Sequence, residues 1–246
     1  IRIIFMGKNI FKILTIFVIG MVGGIFAEQI FWPYFIERPL FYEYRLERRP
    51  IVLNETKEVV IQENTALKEA VEKVGQTVVG VRTRLSGGRT LDGSGLILTS
   101  DGLMITLAEL VPSGPNTIFI LEGKQVNFQV LKRDLKENLA LIKLEGSHLT
   151  TAGFGELDKL KIGERIFLLG SIFEAGKEIK VKKVANEGII KSFDDNFLQT
   201  NILENVNLKG SPLFDIEGRV LGINMIDKEG KVGAISIKKI REFAGI

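Results

Sequence analysis

Short segments rich in β-branched and apolar residues recur through most of this chain, roughly every ten residues. They occupy residues 78–83, 95–99, 103–107, 117–121, 128–133, 139–144, 165–170, 180–184, 187–193, 197–201, 219–226 and 231–237. Gly, Asp, Asn and Ser separate them, and the 26 glycines suit the positive φ angles of tight β-turns. Residues 64–75 instead carry apolar residues at helical spacing, which predicts one short helix before the first strand. The pattern predicts an all-β fold of two barrels with about six strands each.

An uninterrupted apolar stretch at residues 13–27 lies near the N-terminus. Extended to residues 10–28 it is long enough to cross a bilayer, and we predict a transmembrane anchor there. Residues 1–9 carry basic but no acidic side chains, which places them in the cytoplasm and the later residues outside, in the periplasm or at the cell surface. A cleaved signal peptide is the alternative, although Ile25 stands where a cut after Ala27 would need a small residue.

Residues 29–63 predict an aromatic juxtamembrane segment followed by a linker. Seven aromatic residues fall between positions 31 and 44, including the only Trp and all three Tyr of the chain. Aromatic rings at the end of a membrane helix are typical of an interfacial belt. A docking surface for a partner membrane protein is the alternative interpretation.

Composition excludes several kinds of functional site. The chain has no Cys, which rules out disulfides, thiolate metal sites and iron–sulfur clusters. Its single histidine, His148, lies in a polar turn and is interpreted as a solvated loop residue. The net charge of +3 is spread over mixed signs with no basic stripe, so we predict no nucleic-acid partner. No metal and no cofactor is predicted.

A group of lysines surrounds one of the predicted strands, at positions 177, 180, 182 and 183. Exposed lysines on a strand are typical of a solvated sheet edge that resists aggregation. We therefore predict an edge strand here, with contact to anionic lipid as the alternative.

Several motifs follow one another in an order that resembles the trypsin-like serine proteases of the high-temperature-requirement A (HtrA) family. They are DGSGLILTSDGLMITLAELV at 92–111, ENLALIKLEG at 137–146, LKIGERIFLLGSIF at 160–173, EGIIKSF at 187–193, FLQTN at 197–201 and GSPLFDIEGRVLGINM at 210–225. The resemblance is collinear over about residues 64–241. It implies the chymotrypsin-like pair of six-stranded barrels, here residues 64–148 with the short helix and residues 149–246. The PDZ domain common in that family is not expected, because the resemblance runs almost to Ile246.

Active members of that family hydrolyse peptides with a Ser–His–Asp triad and an oxyanion hole of backbone N–H groups. The resemblance places the histidine at Glu109, the aspartate at Asn138 and the nucleophilic serine at Lys209. Two glycines of the nucleophile loop fall on Asn207 and Ser211. All three triad positions are therefore replaced, and we expect Glu109 and Lys209 to face each other as an ion pair.

These replacements predict a pseudoprotease that binds a peptide or protein, or acts as a scaffold, without cleaving it. The resemblance places the binding residues in the former nucleophile loop, at Asn207, Lys209, Gly210 and Ser211. One alternative is a serine endopeptidase with a displaced nucleophile, Ser211, assisted by Lys209 or Glu109. Another is a structural subunit of a membrane assembly. The oligomeric state stays open.

Overall fold

The computed structural model describes residues 2–36, 65–114, 116–174, 176 and 179–246, and the chain divides into two units, Ile1–Val60 and Ile61–Ile246. In the first unit, helix α1 spans Arg2–Phe26 and continues as a π-helix over Ala27–Ile36. Its stretch Phe11–Trp32, 22 residues, is long and apolar enough to cross a membrane, a test that a signal sequence also passes. Residues 37–63 of the predicted juxtamembrane segment and linker, 29–63, lie outside the described residues.

The second unit begins with a short helix, α2, at residues 65–74, which leads into the first β-sheet. The strands of this sheet are β1 (Val78–Arg84), β2 (Thr90–Ile97), β3 (Leu103–Leu107), β4 (Asn116–Leu121), β5 (Lys124–Val126), β6 (Phe128–Asp134) and β7 (Leu139–Leu144). Their order is β5-β4-β1-β2-β3-β7-β6, with antiparallel pairing. β7 is almost wholly buried, which agrees with its nearly continuous apolar sequence.

The two outer strands of the first sheet, β5 and β6, are separated in sequence only by Asn127. β5 pairs with β4 and β6 pairs with β7, so one bent run of chain joins both ends of the sheet. At the bend, the backbone carbonyl of Asn127 accepts a hydrogen bond from Glu145 N–H at 2.9 Å. The side-chain Nδ2 of Asn127 donates to Glu145 Oε2, also at 2.9 Å. The first sheet therefore has seven strands rather than the expected six, because one of them is divided at this residue, and it curls without closing into a barrel by strand pairing.

The other six strands close into a barrel. They are β8 (Arg165–Phe173), β9 (Val181–Phe193), β10 (Phe197–Leu203), β11 (Pro212–Asp215), β12 (Val220–Ile226) and β13 (Lys231–Ser236), in the order β10-β13-β12-β11-β8-β9. A final helix, α3 (Ile237–Ala244), begins after the N-cap Ser236 and ends at Gly245 in a left-handed conformation. The predicted all-β architecture is confirmed.

The lysine-rich segment is the first part of β9. Residues 181–189 pair with β8, whereas the pairing with β10 is confined to residues 190–193. Lys182 and Lys183 therefore lie where β9 has a backbone partner on one side only, in agreement with the predicted edge strand, and residue 177 lies outside the described residues. The Lys183 ammonium group turns inward and donates to the Val78 carbonyl in β1 and to Ser171 Oγ, the latter at 3.3 Å. This single side chain therefore links the second barrel to the first sheet.

Burial of its ammonium group lowers the pKa of Lys183 to about 8, and Glu122 opposes this shift. The unfolded chain, with the ordinary value of 10.5, therefore binds more protons than the folded chain between about pH 8 and 10.5, and folding becomes more favourable as pH rises through this window. We expect the free energy of unfolding of the full chain in detergent, relative to that of Lys183→Met, to rise across the window in urea titrations. The matched variant Lys182→Met, at the neighbouring position on the opposite face of β9, should give no such trend. A flat difference for Lys183 would contradict an inward ammonium.

Candidate functional site

Three loops that follow or precede strands meet at the predicted triad positions. Glu109 lies in a 3₁₀ turn (Ala108–Leu110) directly after β3, and Asn138 directly precedes β7. Because Leu107 of β3 pairs with Leu139 of β7, the residues next to them are neighbours, and Ala108 N–H donates to the Asn138 carbonyl at 3.1 Å. The third loop contains the 3₁₀ turn Val206–Leu208 and ends at Lys209.

Lys209, Glu109 and Asn138 form one continuous polar row. Lys209 Nζ lies 3.1 Å from Glu109 Oε2 and 3.3 Å from Oε1, so the predicted ion pair is confirmed. Asn138 Nδ2 donates to the same Oε1 at 3.3 Å, while Glu109 N–H donates to Asn138 Oδ1 at 3.1 Å. Asn138 has φ +52°, a left-handed conformation that asparagine tolerates better than most residues.

The ion pair is only partly shielded from solvent. The Lys209 side chain is 25% exposed and that of Glu109 is 42% exposed. Pairs in such surroundings typically contribute about 0–1 kcal/mol to stability. The row therefore orients three side chains more than it stabilises the fold.

The turn before Lys209 satisfies its own backbone donors. Asn207 N–H donates to Asn205 Oδ1 at 3.0 Å, and Lys209 N–H donates to the Val206 carbonyl at 3.2 Å. An oxyanion hole needs N–H groups aimed at an incoming substrate oxygen. In this conformation the N–H groups of residues 207 and 209 are instead bonded within the turn.

Two other sequence candidates lie apart from this row. Ser211 is fully buried, and its hydroxyl donates to the Leu208 carbonyl at 2.7 Å. Its N–H donates to Asn224 Oδ1 at 3.2 Å. His148 is exposed in the loop after β7. Among the residues that the structure describes, no group of His, Asp and Glu side chains is arranged to hold a metal ion.

Sequence reasoning did not identify the residues that hold the third loop against β2. Ser94 N–H in β2 donates to the Lys209 carbonyl at 2.8 Å. A side chain at Gly93 would meet that same carbonyl at 2.7 Å, and one at Gly210 would meet the Ser94 carbonyl. The alternation of glycines around Ser94 was the available signal, since glycine marks close approach of two backbones.

A model of the trypsin-like peptidase domain matches residues 93–223, more than half of the chain. The chain belongs to the trypsin-like peptidase family. A probable periplasmic serine endoprotease, DegP-like, of Ectopseudomonas mendocina is 32% identical over 148 residues, which cover 57% of this chain and 31% of the relative. The chain thus matches about a third of the length of this curated relative.

Solved structures agree on the fold. An HtrA-type protease, AlgW, with a tripeptide superposes with a TM-score of 0.63 and 23% identity, over 73% of this chain and 62% of that one. The serine endoprotease from Yersinia pestis gives the same TM-score and identity, over 73% of this chain and 65% of its own. Together with the DegP-like relative, they confirm the predicted resemblance to the HtrA family.

The close approach of Gly210 to Ser94 predicts that alanine at position 210 destabilises the fold more than alanine at position 123. The two glycines have similar φ angles, +73° at Gly210 and +77° at Gly123. Replacing either with alanine should destabilise the fold by about 1 kcal/mol through the left-handed backbone. Gly210→Ala should lose about 1–3 kcal/mol more, because its Cβ would meet the Ser94 carbonyl, whereas the space at Gly123 is open. Urea unfolding of the two full-length variants measures this, and equal losses would contradict the proposed close approach.

Proposed function

We propose that this protein is a membrane-anchored, extracytoplasmic module of the trypsin fold that binds an extended polypeptide without hydrolysing it. The observation that carries this proposal is the row of Lys209, Glu109 and Asn138 at the positions that the resemblance assigns to the triad. The apolar length of α1 supports an anchor, and the DegP-like relative, described as periplasmic, supports an extracytoplasmic location.

The chemistry of the row argues against peptide hydrolysis. Position 209 carries a lysine paired with Glu109 and not the serine hydroxyl that forms the acyl-enzyme of an active protease. Glu109 accepts hydrogen bonds from two donors, Lys209 and Asn138, and is not arranged to take a proton from a serine. Deleting one member of a Ser–His–Asp unit already removes most of its rate, and here each position carries another residue type.

The backbone and Ser211 support the same conclusion. An N–H group bonded to Asn205 or Val206 is not available to stabilise an oxyanion. The burial of Ser211 and its bond to Leu208 support a structural role for this hydroxyl rather than that of a displaced nucleophile.

Binding would use the exposed part of the same loop. Asn207 is exposed, and the side chains of Lys209 and Glu109 are partly exposed beside it. These groups supply hydrogen-bond donors and acceptors, which suits the main chain and polar side chains of an extended polypeptide. Gly210 and Ser211 are buried, so we propose that they shape the loop from beneath rather than contact the partner.

We expect no cleavage of fluorescent casein, an unfolded polypeptide, by the full chain in detergent above the level of a Lys209→Ala, Ser211→Ala double variant. A serine-directed phosphonate should leave the protein unlabelled, because Ser211 is buried. An active trypsin-fold protease serves as the positive control. Cleavage or labelling that the double variant abolishes would contradict the proposal.

The same casein tests binding. We expect it to slow amide hydrogen exchange in residues 205–211 of the full chain, because the exposed side of this loop would be covered. Asn207→Ala should weaken that protection by removing an exposed contact, whereas Asn116→Ala, an exposed residue at the start of β4, serves as the control. Unchanged exchange at saturating casein would argue for a purely structural subunit.

A further inference from the structure

The polar row of Lys209, Glu109 and Asn138 contains every group needed to form an amide bond between two side chains. A lysine supplies an amine, an asparagine supplies a carboxamide carbon, and a carboxylate between them contacts both nitrogens. We propose that Lys209 and Asn138 join through an intramolecular isopeptide bond, with Glu109 carrying the protons. This inference goes beyond the proposed binding function and does not depend on it.

One carboxylate oxygen contacts both the attacking amine and the nitrogen that would leave. Lys209 Nζ and Asn138 Nδ2 each lie 3.3 Å from the same oxygen, Oε1 of Glu109. The backbone N–H of Glu109 donates to Asn138 Oδ1 at 3.1 Å, which polarises the amide and would stabilise the negative charge that develops on that oxygen. The hydrogen bond from Ala108 N–H to the Asn138 carbonyl holds the asparagine backbone in place.

The surroundings restrict how far these side chains can move apart. Lys209 is tied through its carbonyl to Ser94, and three-quarters of its side chain is covered. Asn138 directly precedes the buried strand β7, and its Nδ2 also lies 4.0 Å from Met225 Sδ. Two groups held in this way react as an intramolecular pair, with the gain in effective concentration that this brings.

The reaction balances without an oxidant or a co-reactant. The Glu109 carboxylate accepts a proton from the Lys209 ammonium, and the free amine attacks Asn138 Cγ, so that a C–N bond forms and Oδ1 takes the electron pair. Glu109 then gives its proton to Nδ2 and takes one from the newly bonded nitrogen. The C–Nδ2 bond breaks, the carbonyl re-forms, and ammonia leaves with the remaining proton as ammonium.

The product would link the first sheet covalently to the closed barrel. Asn138 lies between β6 and β7 of the first sheet, whereas Lys209 lies between β10 and β11 of the closed barrel. A covalent link between positions so far apart in sequence restricts the unfolded chain, as a disulfide does. It would supply a covalent constraint to a chain that has no cysteine.

Intact-mass measurement of the purified, denatured full chain tests this directly. We expect a mass lower than that of the sequence by one ammonia, and a branched peptide joining residues 138 and 209 after proteolysis. Lys209→Arg keeps the charge for the ion pair but should restore the full mass, and Glu109→Gln should do the same by removing the proton carrier. Lys231→Arg is the matched control, because Lys231 pairs with Glu229 at the turn between β12 and β13 and should keep the loss of ammonia.

Two results would overturn the proposal. One is the full sequence mass after prolonged incubation of a protein that circular dichroism shows to be folded. The other is a loss of ammonia that persists in Lys209→Arg, since cyclisation of Asn138 onto its own backbone would give the same mass change without the lysine. Neither result bears on casein binding or cleavage, so this proposal and the proposed function fail separately.

Discussion

The hydrogen bond from Ser94 N–H to the Lys209 carbonyl joins the first sheet to the closed barrel. The position of Lys209 in the site depends on this bond. It brings the backbones of β2 and the third loop so close that a side chain does not fit at the positions beside the bond. Gly93 and Gly210 meet this requirement from the two sides. Gly170 in β8 does the same beneath the loop, where an added Cβ would meet Ser211.

The contact between Ser94 and Lys209 maintains the fold independently of the chemistry at the site. The contact uses the main chain of residue 209, so the side chain there is free to change without loss of the loop. The reciprocal bonds between Glu109 and Asn138 likewise join the loops after β3 and before β7, whatever reaction the site performs. The fold therefore determines where these side chains lie, whereas their function has to be inferred from their own chemistry.

Most strands could be predicted from the sequence because their apolar periods are strong and turn residues bound them. β11 was missed because it has only four residues, and α3 because its first residue, Ile237, continues the pattern of β13. The cap at Ser236 was the available signal for that helix. The inward turn of the Lys183 ammonium group could not be predicted, since strand alternation does not reveal which carbonyl a long side chain reaches.

The contacts of the site could be predicted where they join positions that the family fold brings side by side. The resemblance brings residues 109 and 209 together, and opposite charges then imply a pair. The contact of Asn138 with the same carboxylate depends on its left-handed backbone, which spacing does not encode. The conformation of the third loop does have a local cause, because Asn205 accepts from the N–H two residues on, an Asx turn that asparagine favours. The side chain that closes this turn also occupies the donor that an oxyanion would need, so serine, histidine and aspartate at the three triad positions would still lack that donor while the turn persists.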